Sequence, residues 1–254
     1  MLESLWITIS TYSILPAPQA EWRDENMKTA ICFLPVVGVF IGAALVVWQR
    51  LCLALNAGSV IFAAISSVLP LFLTGGIHMD GFMDTVDALS SHQSKERKLE
   101  IMKDSHTGAF AVMWCAAYLL LNFGIYHALY QQTALWAAGV IFILSRALCA
   151  AGALAFPDAR RGSSGILSAF TEHVKSRRPA IASLCILSLL CGTGMCLIGL
   201  RSGIAGVLTA LAAFLIYWRV VIKEFGGITG DTCGFFIEFC EFLALFGLWL
   251  GDRL

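Results

Sequence analysis

The run Gly75-Gly76-Ile77-His78-Met79-Asp80-Gly81-Phe82-Met83-Asp84-Thr85-Val86-Asp87 carries three carboxylates at i, i+4 and i+7. On a helix, at about 100° per residue, Asp80, Asp84 and Asp87 share one face within about 60°. Three carboxylates so placed repel one another unless a cation sits among them. Oxygen-only donors favour a hard ion, Mg²⁺ or Mn²⁺. The bland reading is a solvated acidic helix face. Metal binding is favoured here because the cluster abuts an apolar run in a chain with only 17 acidic residues. His78 falls outside that face, and a polar membrane-surface role and a catalytic one suit it equally.

Downstream, Ser94-Lys95-Glu96-Arg97-Lys98-Leu99-Glu100-Ile101-Met102-Lys103-Asp104-Ser105 reads as a short surface helix with Ser94 as N-cap. Its cations suit a phosphate-bearing substrate beside a divalent metal, although any basic loop looks the same. Arg146 is different, because it sits inside the apolar stretch Leu135–Phe156 without a charged neighbour. Such an Arg must face the bundle interior and find an anion, either a carboxylate or a substrate phosphate. The last constellation is Gly226-Gly227-Ile228-Thr229-Gly230-Asp231-Thr232-Cys233-Gly234. Its glycines let backbone N–H groups face a ligand. Asp231 and Glu238 then fall on one helix face, with Glu241 a turn deeper. Acids in so apolar a helix are functional candidates by default, and proton relay in a transporter would explain them as well.

The elements that position these residues are membrane helices. Of 254 residues, 58% are apolar and only 13% charged, about half the charge of a soluble domain. Too little polar surface remains to coat a globule, so lipid is the solvent. Net charge is zero, which argues against a nucleic-acid partner. The nine cysteines are scattered without a Cys-x-x-Cys pair and read as small packing residues. Glu3 and the lack of a basic stretch ahead of the first apolar residues argue against a cleavable signal peptide.

The expected fold is an all-α polytopic bundle forming a single integral membrane catalytic domain over residues 1–254. Residues 2–18 read as an interfacial or re-entrant helix. Seven spans follow, at about 29–50, 59–74, 108–130, 134–156, 179–200, 203–222 and 234–250. Gly38 and Gly42 in the first permit close helix approach. With the N-terminus cytoplasmic, that side holds thirteen of the 17 basic residues: Arg23, Lys28, Lys95, Arg97, Lys98, Lys103, Arg160, Arg161, Lys175, Arg177, Arg178, Arg219 and Lys223. Arg50, Arg201 and Arg253 fall outside. The asymmetry predicts seven spans with the C-terminus outside.

Taken together, these stretches resemble the cobalamin synthase family, the adenosylcobinamide-GDP ribazoletransferases. The resemblance rests on residues 75–87, on Glu100-Ile-Met-Lys-Asp-Ser-His-Thr-Gly-Ala-Phe110, on Ser145-Arg146, on Gly226-Gly-Ile-Thr-Gly-Asp231 and on Pro35-Val-Val-Gly38. It covers essentially the whole chain. Two departures are Ile14, where the family often has Arg, and Ala88-Leu89-Ser90-Ser91-His92, where it has a glycine-rich run.

The resemblance implies a transferase of the bacterial inner (plasma) membrane with its site facing the cytoplasm. It joins adenosylcobinamide-GDP to α-ribazole or its phosphate, releases GMP and requires Mg²⁺. Asp80, Asp84 and Asp87 then hold the metal. Asp104 adds a ligand or acts as base, Arg146 holds a phosphate, and His78, Lys103 and Asp231 line the site. Membrane lipid is a further expected contact, and a homo-oligomer is compatible with the sequence. No Walker-type phosphate loop or covalent nucleophile motif is present. Two other readings compete. A CDP-alcohol phosphotransferase requires paired aspartates before Gly and an Ala-Arg after it, unlike Asp80-Gly81. A secondary transporter using Arg146, Glu238 and Glu241 calls for broken spans near the midplane.

Overall fold

The computed structural model describes residues 1–160, 166–174 and 176–254. Arg161 and Lys175, counted above among the cytoplasmic charges, lie outside the described residues. The helices run α1 (Leu2–Tyr12), α2 (Asp24–Met27), α3 (Leu34–Ala54, extended at its start by a 3₁₀ turn, Ala30–Phe33), α4 (Gly58–Thr74), α5 (Ile77–Ser90) and α6 (Lys95–Ile101). Then come α7 (Ala109–Leu129), α8 (Ala134–Ala155), α9 (Ile166–Glu172), α10 (Arg177–Ile198), α11 (Leu200–Glu224) and α12 (Gly230–Gly251). Among the described residues there is no β-strand, only one isolated parallel bridge.

Among the described residues six helices are long and apolar enough to cross a membrane: α3, with its 3₁₀ start, and α7, α8, α10, α11 and α12. The seventh expected crossing differs from a single helix. α4 and α5 are long and apolar enough only as a pair bent by 97°, the geometry of a broken span or of a re-entrant loop, so the described residues hold six spans, or seven with this pair. Gly75 and Gly76 both take left-handed backbone, with φ of 65° and 82°, which ends α4 and starts α5 in a new direction. Pro70 within α4 withholds one helix hydrogen bond. The carboxylate-bearing stretch is therefore the second helix of this bent pair and not an irregular loop.

α8 is the central helix, packed by α3, α10 and α12, and its buried face is rich in alanine. α3 approaches it closely at the two predicted glycines. A Cβ on Gly38 would collide with the Phe142 carbonyl, and one on Gly42 with that of Gly139. Small residues at such crossings let packing replace the hydrophobic drive that lipid removes. Large exposed side chains such as Leu121, Leu189 and Leu208 form the lipid-facing surface.

The N-terminal helix is shorter than residues 2–18, stopping at Tyr12. Eleven residues rise about 16 Å at 1.5 Å each, too little to cross. α1 packs on the start of α3 instead, where the Thr8 hydroxyl donates to the Ala30 carbonyl at 2.7 Å. α5 continues through Ala88, Leu89 and Ser90, and the reversal falls at His92, whose φ is +51°.

Candidate active site

α5 is held by contacts on two sides. Met79, Phe82 and Val86, spaced three and four apart, pack into the bundle against Tyr118 of α7 and Phe235 of α12. That leaves Asp80, Asp84 and Asp87 on the opposite face, as the spacing predicts. α5 crosses α12 at close range. A Cβ on Gly81 would lie 2.6 Å from the Asp231 carbonyl oxygen, and one on Gly234 2.8 Å from the His78 carbonyl oxygen. The glycines thereby bring the carboxylate face up to Asp231. At the other end, the space a side chain on Gly108 would need is filled by the Asp87 carboxylate. Among the described residues no three His, Cys, Asp or Glu side chains converge closely enough to hold a metal ion by themselves.

Two loops complete this end of the bundle. The Ile228 N–H donates to the Pro157 carbonyl and the Ala159 N–H to the Ile228 carbonyl, both at 2.9 Å, tying residues 157–159 to the glycine loop. Thr229 and Thr232 then cap each other: the Thr232 N–H donates to Thr229 Oγ1 at 3.1 Å, and the Thr229 N–H to Thr232 Oγ1 at 2.8 Å. This reciprocal cap starts α12 and fixes Asp231 in its first turn. Asp231 Oδ2 accepts from Arg160 Nη2 at 3.1 Å. Arg160 counted in the sequence only as one positive charge among thirteen. Its backbone N–H and the Ser168 hydroxyl both donate to Asp158, at 2.7 and 3.0 Å.

A cavity of about 260 Å³ lies beneath these groups, bordered by His78, Asp80, Asp158, Arg160 and Asp231. Arg160 also borders a surface groove with Lys103 and Gly226. α6 is fastened beside it by Lys98, which is buried and reaches Glu224 at 2.5 Å. Ser94 caps α6 as expected, accepting from the Arg97 N–H at 3.4 Å. Lys103 is exposed at the groove, and Asp104 is exposed on the loop that ends at Gly108. Asp104 accepts from the His106 N–H at 3.0 Å and meets its ring Nδ1 at 2.7 Å. The backbone bond first, and the ring second, hold this carboxyl below its ordinary pKa.

Arg146 stands apart from the other predicted site residues. Its anion is a carboxylate: Nη1 donates to Glu241 at 2.5 Å and to the Phe142 carbonyl at 3.0 Å. Ser145 donates to the same Glu241 oxygen at 2.8 Å. Both charged side chains are at most 2% exposed. The geometry therefore departs from the reading of Arg146 as a phosphate grip, because its charge is spent within the bundle. Glu238 likewise has a partner, the Tyr118 hydroxyl at 2.5 Å.

Residues 4–249 match the family model described as cobalamin-5-phosphate synthase. The chain belongs to that family. It is 39% identical to the adenosylcobinamide-GDP ribazoletransferase of Lachnoclostridium phytofermentans, over 96% of this chain and 92% of the relative. The protein of the same name from Desulfitobacterium hafniense is 37% identical, over 97% and 96%. That from Pseudomonas fluorescens is 33% identical, over 96% and 98%. No solved structure matches the chain.

The cobalamin-5-phosphate synthase match spans every element of this site, from the α5 carboxylates to the α12 cap. The donors on α5 are all oxygens, and they form an open face. Mg²⁺ keeps several waters and binds through one or two carboxylates plus substrate phosphates, so an open acidic face fits it better than a closed cage would. The arrangement places the acids of α5 on one wall and Arg160 with Lys103 on another. That pairing is suited to a phosphate-bearing substrate.

Proposed function

We propose that this chain joins adenosylcobinamide-GDP to α-ribazole or its phosphate with release of GMP, the final assembly step of adenosylcobalamin. The observation that carries the reading is the gathering of Asp80, Asp84, Asp87, Asp231 and Arg160 at one end of a chain matched over residues 4–249 by the cobalamin-5-phosphate synthase family. A hydroxyl oxygen of the acceptor bonds to the phosphorus on the cobinamide arm. The bond from that phosphorus to the bridging oxygen breaks, GMP leaves with the electron pair, and the hydroxyl proton passes to water at the rim. Direct in-line displacement needs positioning and charge neutralisation more than covalent catalysis.

Asp80, Asp84 and Asp87 are the residues that hold Mg²⁺ in this reading. The ion, when bound, offsets negative charge on the diphosphate and on the departing GMP. Arg160 and Lys103 grip phosphate oxygens from the groove. Asp231 occupies one guanidinium edge of Arg160 and so orients the other. Asp104, with its carboxyl held acidic by His106, is a weak base and serves as a supplementary ligand. Arg146 is assigned to structure. The site faces the cytoplasm by the asymmetry of Lys and Arg. The test is to incubate the purified protein with adenosylcobinamide-GDP, α-ribazole and Mg²⁺ and to measure GMP. Absence of GMP with all three present refutes the reading.

A further inference from the structure

The cavity under α5 has two contrasting walls. Ile31, Leu34, Cys149, Ala153, Leu167 and Ile237 form an apolar floor, while His78, Asp80, Arg160 and Asp231 close the top. Two buried polar atoms at this cavity have no partner among the described residues, His78 Nε2 and Arg160 Nε. His78 is only 2% exposed. A buried polar atom left unpaired costs about 1–3 kcal/mol, so two bordering one cavity point to a ligand that satisfies them.

We propose that this cavity is the acceptor pocket. It takes the flat apolar base of a benzimidazole nucleoside against the floor, with the sugar turned toward the carboxylates of α5. The assignment rests on the transferase reading above. Size supports it: about 260 Å³ lies below the roughly 300–1,000 Å³ of ordinary small-molecule pockets, which suits the bicyclic base alone and excludes a corrinoid. Polarity supports it too. His78 Nε2 pairs with a nitrogen or hydroxyl of the nucleoside, and the free Arg160 edge faces its sugar or phosphate. Asp80 belongs both to this cavity and to the acidic face, so a sugar hydroxyl leaving the cavity emerges where the diphosphate binds.

A rival place for an apolar base is the larger groove of about 560 Å³ between α5, α7 and α12. Phe82 and Val86 line it, on the side of α5 turned away from the aspartates, and exposed Phe110 and Trp114 open it toward lipid. A base held there leaves the acceptor hydroxyl on the wrong side of the helix.

The test uses the full chain in detergent or nanodiscs. Ala153→Leu fills the floor, and Leu167→Ala removes part of it. Each is expected to weaken the acceptor at least about 10-fold, since a single methylene too many or too few in an apolar pocket is worth about 10–200-fold. The KM for adenosylcobinamide-GDP should stay within about twofold. Ala117→Leu, in the rival groove, should change neither. Equilibrium dialysis of α-ribazole without the GDP substrate gives a second readout, with binding by the parent and loss in Ala153→Leu. α-Ribazole binding that Ala153→Leu abolishes, in a protein that releases no GMP, keeps the pocket and discards the transferase reading. An acceptor KM unmoved by both floor variants, or raised by Ala117→Leu, overturns the pocket. If Ala153→Leu fails to fold, Leu167→Ala decides alone.

Discussion

Glu241→Leu removes the acid paired with the fully buried Arg146. The guanidinium cannot shed its proton, so it stays charged in the bundle core. Breaking a buried pair from one side costs about 3–5 kcal/mol, and placing an Arg at mid-membrane costs about 2.5–3.5 kcal/mol on insertion scales. Two independent routes thus give a loss of about 3 kcal/mol or more. Arg146→Met should cost less, about 1–3 kcal/mol, because Glu241 can bind a proton and still keep the Ser145 hydroxyl at 2.8 Å. The double variant removes both charges and replaces them with apolar volume. Such replacements are often neutral or stabilising, so it should recover about 3 kcal/mol relative to Glu241→Leu alone. Unfolding of the purified variants, followed by tryptophan fluorescence, gives the three values. A double variant as unstable as Glu241→Leu refutes the pair as the reason both residues are present. Turnover of the folded double variant tests the role of Arg146. GMP release within a fewfold of the parent is expected, and a loss beyond about 100-fold, or about 2.7 kcal/mol of barrier, returns Arg146 to the phosphate.

Asp84→Asn should insert normally but lose about 100-fold or more in GMP release, with partial rescue at high Mg²⁺. Exposed Glu96→Gln should behave as the parent, and unchanged Mg²⁺ dependence in Asp84→Asn would leave a solvated acidic face. Gly108→Ala drives a methyl into the Asp87 carboxylate, a flexible side chain, so unfolding should shift by no more than about 2–4 °C. GMP release should nevertheless fall by about 100-fold as the carboxylate moves; full activity would remove Asp87 from the site. A reporter fused after Leu254 should lie outside the cytoplasm and one inserted near Ser91 inside. Finding both on one side would refute the topology.

Much of this arrangement was legible in the residues. Apolar length alone located the six straight spans, because in lipid a segment must satisfy its own backbone hydrogen bonds. The i, i+4, i+7 spacing placed Asp80, Asp84 and Asp87 on one face, and Ser94 marked the start of α6. The bent pairing of α4 with α5 was not legible. Gly75-Gly76 looked like an end because the polar residues after it lower the average hydropathy. Only the packing of Met79, Phe82 and Val86 shows that this stretch still belongs to the bundle. The partner of Arg146 lies 95 residues away. Sequence showed that an anion was needed and that Glu238 and Glu241 were costly, but not which of them it met. Arg160 was hidden among loop cations, since nothing in its neighbours distinguishes it from the other basic residues there.

The two departures from the family pattern fall where the structure tolerates them. Ile14 touches the helix break, where its backbone N–H donates to the Leu73 carbonyl at 3.0 Å. That bond satisfies a carbonyl in the last turn of α4, which would otherwise be unpaired at membrane depth. The side chain is 65% exposed, so the bond depends on the backbone and survives exchange of Arg for Ile. At the far end of α5, the sequence Ala88-Leu89-Ser90 favours helix over the freedom of a glycine run. The helix therefore carries Asp87 rigidly to its contact with Gly108 and leaves the reversal to His92. A break at one end and a stiff exit at the other make α5 a short rod crossing α12 at Gly81. Its carboxylates are thus set by helix packing and not by a loose loop, the condition under which a site holds its geometry.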